Sequence, residues 1–277
     1  MKLKHLKKFS LVLSTLTFNL FFAQIPIEKF KNEIASLDTN TKQEAYWKKL
    51  NEIDQNILLK TENIIDYDSI STCNMIRSVI LIEKHNSYSN HVPIANLSHS
   101  VVASSNLIYW PIIKKCANKY GYEKLMGGKA YILESYSISF YGYSLYKQNN
   151  LYESLLEKLN QEKNNSKSII ENLVNNYIKQ KKYSSLKEVK VIGRWQLQPF
   201  KNLKEDGSFA FIKMNDKNLY MRKHKRLQKL IFFKVENNVN FYKIDNEPFG
   251  WYYSLDENNN LKLHNEKEEV LIAYSKK

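Results

Sequence analysis

Seven glycines, five prolines, two cysteines and four arginines are all that 277 residues hold of those types. So little glycine leaves no phosphate-cradling loop, and "GYEKLMGGKA" has neither the spacing nor the preceding strand of one. The serine elbow Gly-x-Ser-x-Gly is absent, and Ser98 beside His99 is a sequence neighbour rather than a catalytic pair. No catalytic residue is therefore assigned. Two cysteines, Cys73 and Cys116, are fewer than a cysteine-rich zinc site uses. They permit one disulfide, which on the chain-entropy model would contribute about 4 kcal/mol, and equally fit two separate buried thiols. Four arginines stand against 38 lysines. Arginine reads phosphate and bases in a fixed fork and lysine is a hydrated point charge, so specific nucleic-acid binding is not expected. Beyond position 23 no run of about 18 apolar residues occurs, so no membrane span is expected in the mature chain.

Positions 1–23 are unlike the rest. "MKLKHLKKFS" is basic, "LVLSTLTFNLFF" is an apolar run, and Ala23 precedes Gln24. That order reads as a secretory signal peptide over 1–23, and predicts export to the periplasm or the extracellular space. Removing its four lysines from a net +14 leaves +10. Residues 190–277 carry 17 basic and 11 acidic side chains, so excess positive charge sits in the last third. Such charge aids solubility and attracts polyanions.

The pattern of apolar residues divides the mature chain in two. Over 25–185 it is helical. "PIEKFKNEIASLD" opens on Pro26 and returns at Phe30, Ile34 and Leu37, and "QEAYWKKLNEIDQNILL" aligns Tyr46, Leu50, Ile53, Ile57 and Leu58. "SISTCNMIRSVILIEKH" and "SIIENLVNNYIKQKK" repeat the theme. Residues 131–146, with "ESYSISFYGYSLY", fit both periods and are read as helix through Ile132, Tyr136, Phe140 and Tyr143. Over 190–277 the period falls to two. "KVIGRWQLQ", "SFAFIKM", "NLYMR", "LQKLIFFKV", "NFYKI", "GWYYSL" and "EVLIAY" alternate, separated by "EDG", "ND", "ENN", "NEPFG" and "DENNN". The expected fold is α+β: an all-helical domain, a polar joint at "KKYSSLKE", and a small antiparallel sheet or half-barrel of seven or so strands.

Candidate sites follow from residue type. His85, His91 and His99 fall within fifteen positions, the one cluster with metal-ligand chemistry and the basis for an alternative reading as a metal-assisted hydrolase. Their spacings of six and eight are not those of one helix face, and Pro93 interrupts them. His85 is expected to end a helix, His91 to lie in a loop and His99 to start the next helix, with Asn96 and Ser98 as capping residues. "MRKHKRLQK" gathers Arg222, Lys223, Lys225 and Arg226 at a hairpin tip, a candidate anion site or a charged sheet edge. Trp195, Tyr220, Trp251 and Tyr253 are candidate ligand-lining aromatics or sheet core. Gly193 and Gly250 stand where a missing side chain lets a bulky ring pack closely. No cofactor is implied; the sequence does not name a partner, and an envelope component or a small ligand are the candidates.

"VIGRWQL", with Gly193 and Trp195, resembles the Gly-x-Trp opening of lipocalin-like barrels, in which those residues close one end. The last strand, "EVLIAYSKK", lacks the arginine lipocalins set against that tryptophan, which implies a shorter lipocalin-like module. The helical part, with "LNEIDQNIL", "NMIRSVILIEKHN" and "IYWPIIKKC", resembles uncharacterised helical domains of exported proteins from Bacteroidetes-type bacteria, as does the leader ending "FFAQ". The resemblance implies a class and export, and no activity. The reading that results is an exported, non-enzymatic binding or envelope-interaction protein.

Overall fold

The structure, a computed structural model, describes residues 25–60, 64–100, 107–125, 141, 155, 157–161, 165–196, 208–223, 226–247 and 249–277. Residues 1–23, on which the signal-peptide reading falls, Lys225 and, apart from Tyr141, the segment 131–146 lie outside the described residues.

Helices occupy the first part: α1 Ile27–Ala35, α2 Asn40–Lys60, α3 Ile64–His85, α4 Val92–His99, α5 Trp110–Tyr120 and α6 Ser166–Ser184. α3 is the axis. Met75, Ile76, Val79, Leu81 and Ile82 are buried on it, so its apolar residues run round the helix rather than along one stripe, as expected of an element packed on several sides. α1, α2, α4 and α6 all lie against it. α1 contributes Phe30 and Ile34 and α2 contributes Tyr46, Trp47 and Leu50, as the helical spacing predicts except for Trp47. The Trp47 indole is accommodated because its Nε1–H donates to Ser87 Oγ at 3.0 Å. α6 starts on Asn165, whose side chain accepts from the Ser168 amide at 2.9 Å.

The second part is an eight-stranded antiparallel meander in sequence order: β1 Glu188–Gln196, β2 Ser208–Met214, β3 Leu219–Lys223, β4 Arg226–Glu236, β5 Val239–Ile244, β6 Tyr252–Leu255, β7 Leu261–His264 and β8 Val270–Tyr274. The α+β class is thus observed. β7 is the strand that the sequence pattern does not announce; it is short, and only Leu261 and Leu263 mark its buried face. Turns fall at residues that tolerate positive φ. Asn237 and Asn238 form the β4–β5 turn with both in the left-handed region, the twist that suits a two-residue hairpin.

The sheet curls until its ends meet. Trp195 bridges Lys276, Gln196 N–H donates to Ser275 O at 3.0 Å, and Lys277 N–H donates to Arg194 O at 3.0 Å. Register places Trp195, Phe209, Phe211, Met221, Leu230, Tyr253, Leu263, Ile272 and Tyr274 on the inner face. These side chains and the helical core form one continuous apolar cluster. A second cluster lies on the outer face of β2 and β3, where Tyr183 from the end of α6 covers Ala210, Ile212, Met214 and Tyr220. α6 is held there by Gln180 Nε2–H donating to Leu227 O at 3.2 Å and by the Lys179–Asp245 ion pair.

Gly193 answers the expectation set for it: a Cβ there would sit 2.6 Å from Trp195 Cη2. Gly250 differs. A Cβ would lie 3.4 Å from the Glu266 Cβ, ordinary contact, and the reason for glycine is its positive φ, in the left-handed region.

Candidate functional site

The three histidines lie in one region of chain and take separate partners. α3 does end on His85, whose Nε2 lies 2.7 Å from Ile34 O. His91 occupies the N-cap position of α4, its Nδ1 2.7 Å from Asn90 Oδ1. His99 is the last residue of α4 and not the first of another helix, because Pro93 sits in the first turn of α4, where its missing N–H does no harm. Asn96 is buried inside that helix and Ser98 Oγ–H donates back to Ala95 O at 2.9 Å, so neither caps. Among the described residues no group of three His, Cys, Asp or Glu side chains is placed to hold a metal ion. The metal-centre reading of His85, His91 and His99 is corrected accordingly.

His99 does have a chemical partner that spacing could not reveal. Its Nδ1 lies 2.7 Å from Asp54 Oδ2 on α2, 45 positions earlier, and Asp54 is buried. A proton on Nδ1 donates to that carboxylate, which leaves Nε2 as the acceptor nitrogen of the ring. Tyr67 packs edge-on against the imidazole at 6.4 Å. Burial, with the Asp54 charge adding to it, pushes the Tyr67 hydroxyl up to about 12. Arg226 reaches in from β4; burial lowers its pKa, and the charges of Asp68 and Tyr67 oppose that. This polar seam joins helices to sheet.

Cys73 and Cys116 are separate free thiols, which corrects the possible disulfide. Both pack against the helical core, Cys116 fully buried, and burial pushes its thiol up to about 12. A thiol so raised is a small apolar side chain and no nucleophile.

The basic run is not presented as one exposed group. Arg222 pairs with Glu188, Lys223 is buried on the inner face, and Arg226 is drawn into the seam just described. The aromatic quartet is split. Trp195, Trp251 and Tyr253 belong to the main core and Tyr220 to the outer-face cluster, since Tyr220 and Met221 alternate on β3. Tyr141, which sequence reasoning did not single out, organises the inner face. Its carbonyl accepts from Tyr253 OH at 2.9 Å and Tyr274 OH at 2.8 Å, its own OH donates to Glu247 Oε1 at 2.7 Å, and its ring lies 4.8 Å from Trp251.

A serine–histidine contact also lay beyond sequence reach. Ser254 Oγ and His264 Nε2 stand 2.7 Å apart on β6 and β7, with His264 Nδ1 3.3 Å from Glu268 O. Nδ1–H donates to that carbonyl and Nε2 accepts from the hydroxyl. Yet Ser254 is 5 % exposed and lies mid-strand, where backbone N–H groups serve the ladder, so no oxyanion donors converge on it. The pair is a satisfied buried contact. Burial lowers the His264 pKa, so below the ordinary value of about 6.5 the unfolded chain takes the proton first. The stability this neutral ring contributes is full above about pH 6.5 and falls as pH drops toward the folded value. Urea midpoints at two pH values on either side of 6.5 are expected to differ more for the natural chain than for His264→Gln; equal differences would refute the buried neutral imidazole.

On the outer face of the sheet runs an aromatic ladder, of which Phe233 is exposed, Phe241 half-buried and Tyr252 and His264 buried. Phe233 lies 5.4 Å from Tyr252 and 6.2 Å from Phe241, and Tyr252 stacks on His264 at 5.0 Å with 5° between the rings. Lysines border it: Lys234 Nζ stands 4.5 Å above Phe241 and Lys243 Nζ 5.2 Å above Phe233. Lys243 and Lys262 are exposed, as are Ile231, Phe233 and Val270. On the helical side a cleft of about 850 Å³ opens between α1, α3 and α6, floored by Ile25, Ile27 and Ile170 and rimmed by charges of both signs, Glu28, Lys31, Glu83 and Lys167 among them. No family model, no curated protein and no solved structure matches the chain.

Proposed function

We propose that the chain is an exported, non-enzymatic binding protein of the periplasm or extracellular space, which takes up an anionic envelope component on the outer face of β4–β8. The observation that carries this reading is the aromatic ladder Phe233–Phe241–Tyr252–His264 bordered by Lys234, Lys243 and Lys262. Phe233 is exposed and Phe241 half-buried, over the buried Tyr252 and His264; such an aromatic edge beside cations suits a ligand with an apolar or sugar-like body and negative groups. Two further facts support it. The inner face of the sheet is occupied by its own side chains, which leaves the outside for recognition. The basic–apolar–small order of residues 1–23 supports export, and the net +10 of the remainder draws the chain toward anionic surfaces.

Cosedimentation of residues 24–277 with purified cell envelopes tests the reading. A surface cation contributes about 1 kcal/mol at an anionic interface, so Lys243→Ala with Lys262→Ala is expected to weaken binding roughly thirtyfold. Binding is also expected to fall steeply with added salt. Salt-insensitive binding, or a double variant that binds as well as the natural chain, would remove the proposal. So would finding the full-length chain in the cytoplasm on cell fractionation.

A further inference from the structure

β4 is longer than the strand before it. β3 pairs with it only over Arg226–Leu230, while β5 pairs with it as far as Glu236. From Ile231 to Glu236 the edge of β4 away from β5 has no strand partner among the described residues. That edge is apolar and open: Ile231 is 44 % exposed, Phe232 54 %, Phe233 37 % and Val235 61 %. A strand segment of this composition with one unpaired row of backbone groups is a template for pairing.

What it fits is written in its own pattern. A bulge lies between Phe232 and Lys234. Register and ring contacts put Ile231, Phe233, Lys234 and Glu236 on the outer face, and Phe232 and Val235 on the inner. In a regular strand Phe233 and Lys234 would take opposite faces. Because the bulge turns both outward, Ile231–Glu236 reads outer, inner, outer, outer, inner, outer, the same from either end. A second copy laid antiparallel about a two-fold axis between Phe233 and Lys234 then meets like-faced side chains throughout. Phe232 stands opposite the second copy's Val235, apolar on apolar, and Phe233 opposite its Lys234, ring against cation. Ile231 faces Glu236. No like charges stand opposite one another, and each contact occurs twice, as an isologous interface requires.

We infer that the Ile231–Glu236 edge is the contact of a homodimer, in which β4 pairs antiparallel with β4 of a second copy. The outer face stays open in this arrangement, so the ladder of each copy becomes part of one double-width surface. One short edge buries less than the ~800 Å² per partner of a standard interface, so a micromolar dimer in exchange with monomer is expected.

Sedimentation equilibrium of residues 24–277 from about 1 to about 200 µM tests this, spanning the micromolar range. Phe233→Lys and Phe233→Glu lose the same ring and differ in sign of charge opposite Lys234. Phe233→Lys is expected to raise the dimer dissociation constant roughly a hundredfold over Phe233→Glu, since like charges face each other at two places near the axis. A chain that stays monomeric across the range overturns the inference, as does a dimer equally stable in both variants. Should both fail to fold by circular dichroism, Val235→Lys decides: a dimer as stable as the natural one overturns it. Envelope binding is read separately, so either conclusion can fall without the other.

Discussion

Trp195→Ala is expected to lower the stability of the chain by about 4 kcal/mol, in the range that deletion of a fully buried aromatic costs. The ring is 0 % exposed, lies 4.9 Å from Phe211 and 5.9 Å from Phe209, and its Nε1–H donates to Asn259 O at 3.1 Å. Removal opens a cavity and leaves a carbonyl without its donor. The same ring makes Gly193 intolerant. A methyl 2.6 Å from Cη2 has no flexible neighbour to displace, so Gly193→Ala should cost about 1–3 kcal/mol by overpacking. With the indole gone, that methyl has room. The two substitutions are therefore expected to be non-additive, Gly193→Ala being close to neutral in the Trp195→Ala background. Chemical denaturation of the four proteins measures this directly, and additive losses would mean that the ring and the glycine do not meet.

Glu247→Ala is expected to cost about 4 kcal/mol, because it orphans three buried donors at about 1–3 kcal/mol each. Tyr141 OH gives to Oε1 at 2.7 Å; the amides of Phe249 and Trp251 give to Oε2 at 2.9 and 2.8 Å. Glu247→Gln should be far milder, since an amide oxygen can accept from both backbone donors. The two forms also part with pH. Burial pushes the Glu247 carboxyl above its ordinary value of 4.5 and outweighs the lowering by those hydrogen bonds. The folded state thus holds this proton more tightly than the unfolded state. Its contribution is full below about pH 4.5 and is lost as pH rises through the folded value. Relative to Glu247→Gln, the natural chain should therefore be more stable at pH 4 than at pH 7, and thermal melts of the pair at both values decide it. A constant difference would mean the carboxylate is not desolvated.

Strands were legible in the sequence because period two and turn residues coincide there. "SFAFIKM" is β2 residue for residue, and the Asn-rich breaks carry the left-handed turns. The helices were legible wherever apolar spacing was regular, and α3 was read despite an apolar run that surrounds it. What resisted was long-range pairing. Nothing near His99 announces Asp54, and nothing near Ser254 announces His264, because each contact depends on which elements the fold lays side by side. The spacing of His85, His91 and His99, interrupted by Pro93, already spoke for separate roles, and the metal centre was the alternative that the separate partners exclude among the described residues. The partners within the basic run were not legible either, since Arg222 pairs with Glu188, Lys223 is buried and Arg226 turns toward the helices. Tyr141 went unmarked because its importance rests on a backbone carbonyl, a group every residue has.

The place where the sheet meets itself has a mechanical meaning. Seven strand pairs are stitched along their length, whereas the β1 end is tied to residues 275–277 by two hydrogen bonds. Parting those two leaves every other ladder among the described residues intact, so the ring closes on a narrow seam, and opening it would expose the side of Trp195 that faces residues 275–277 while its Nε1–H still holds the Asn259 carbonyl.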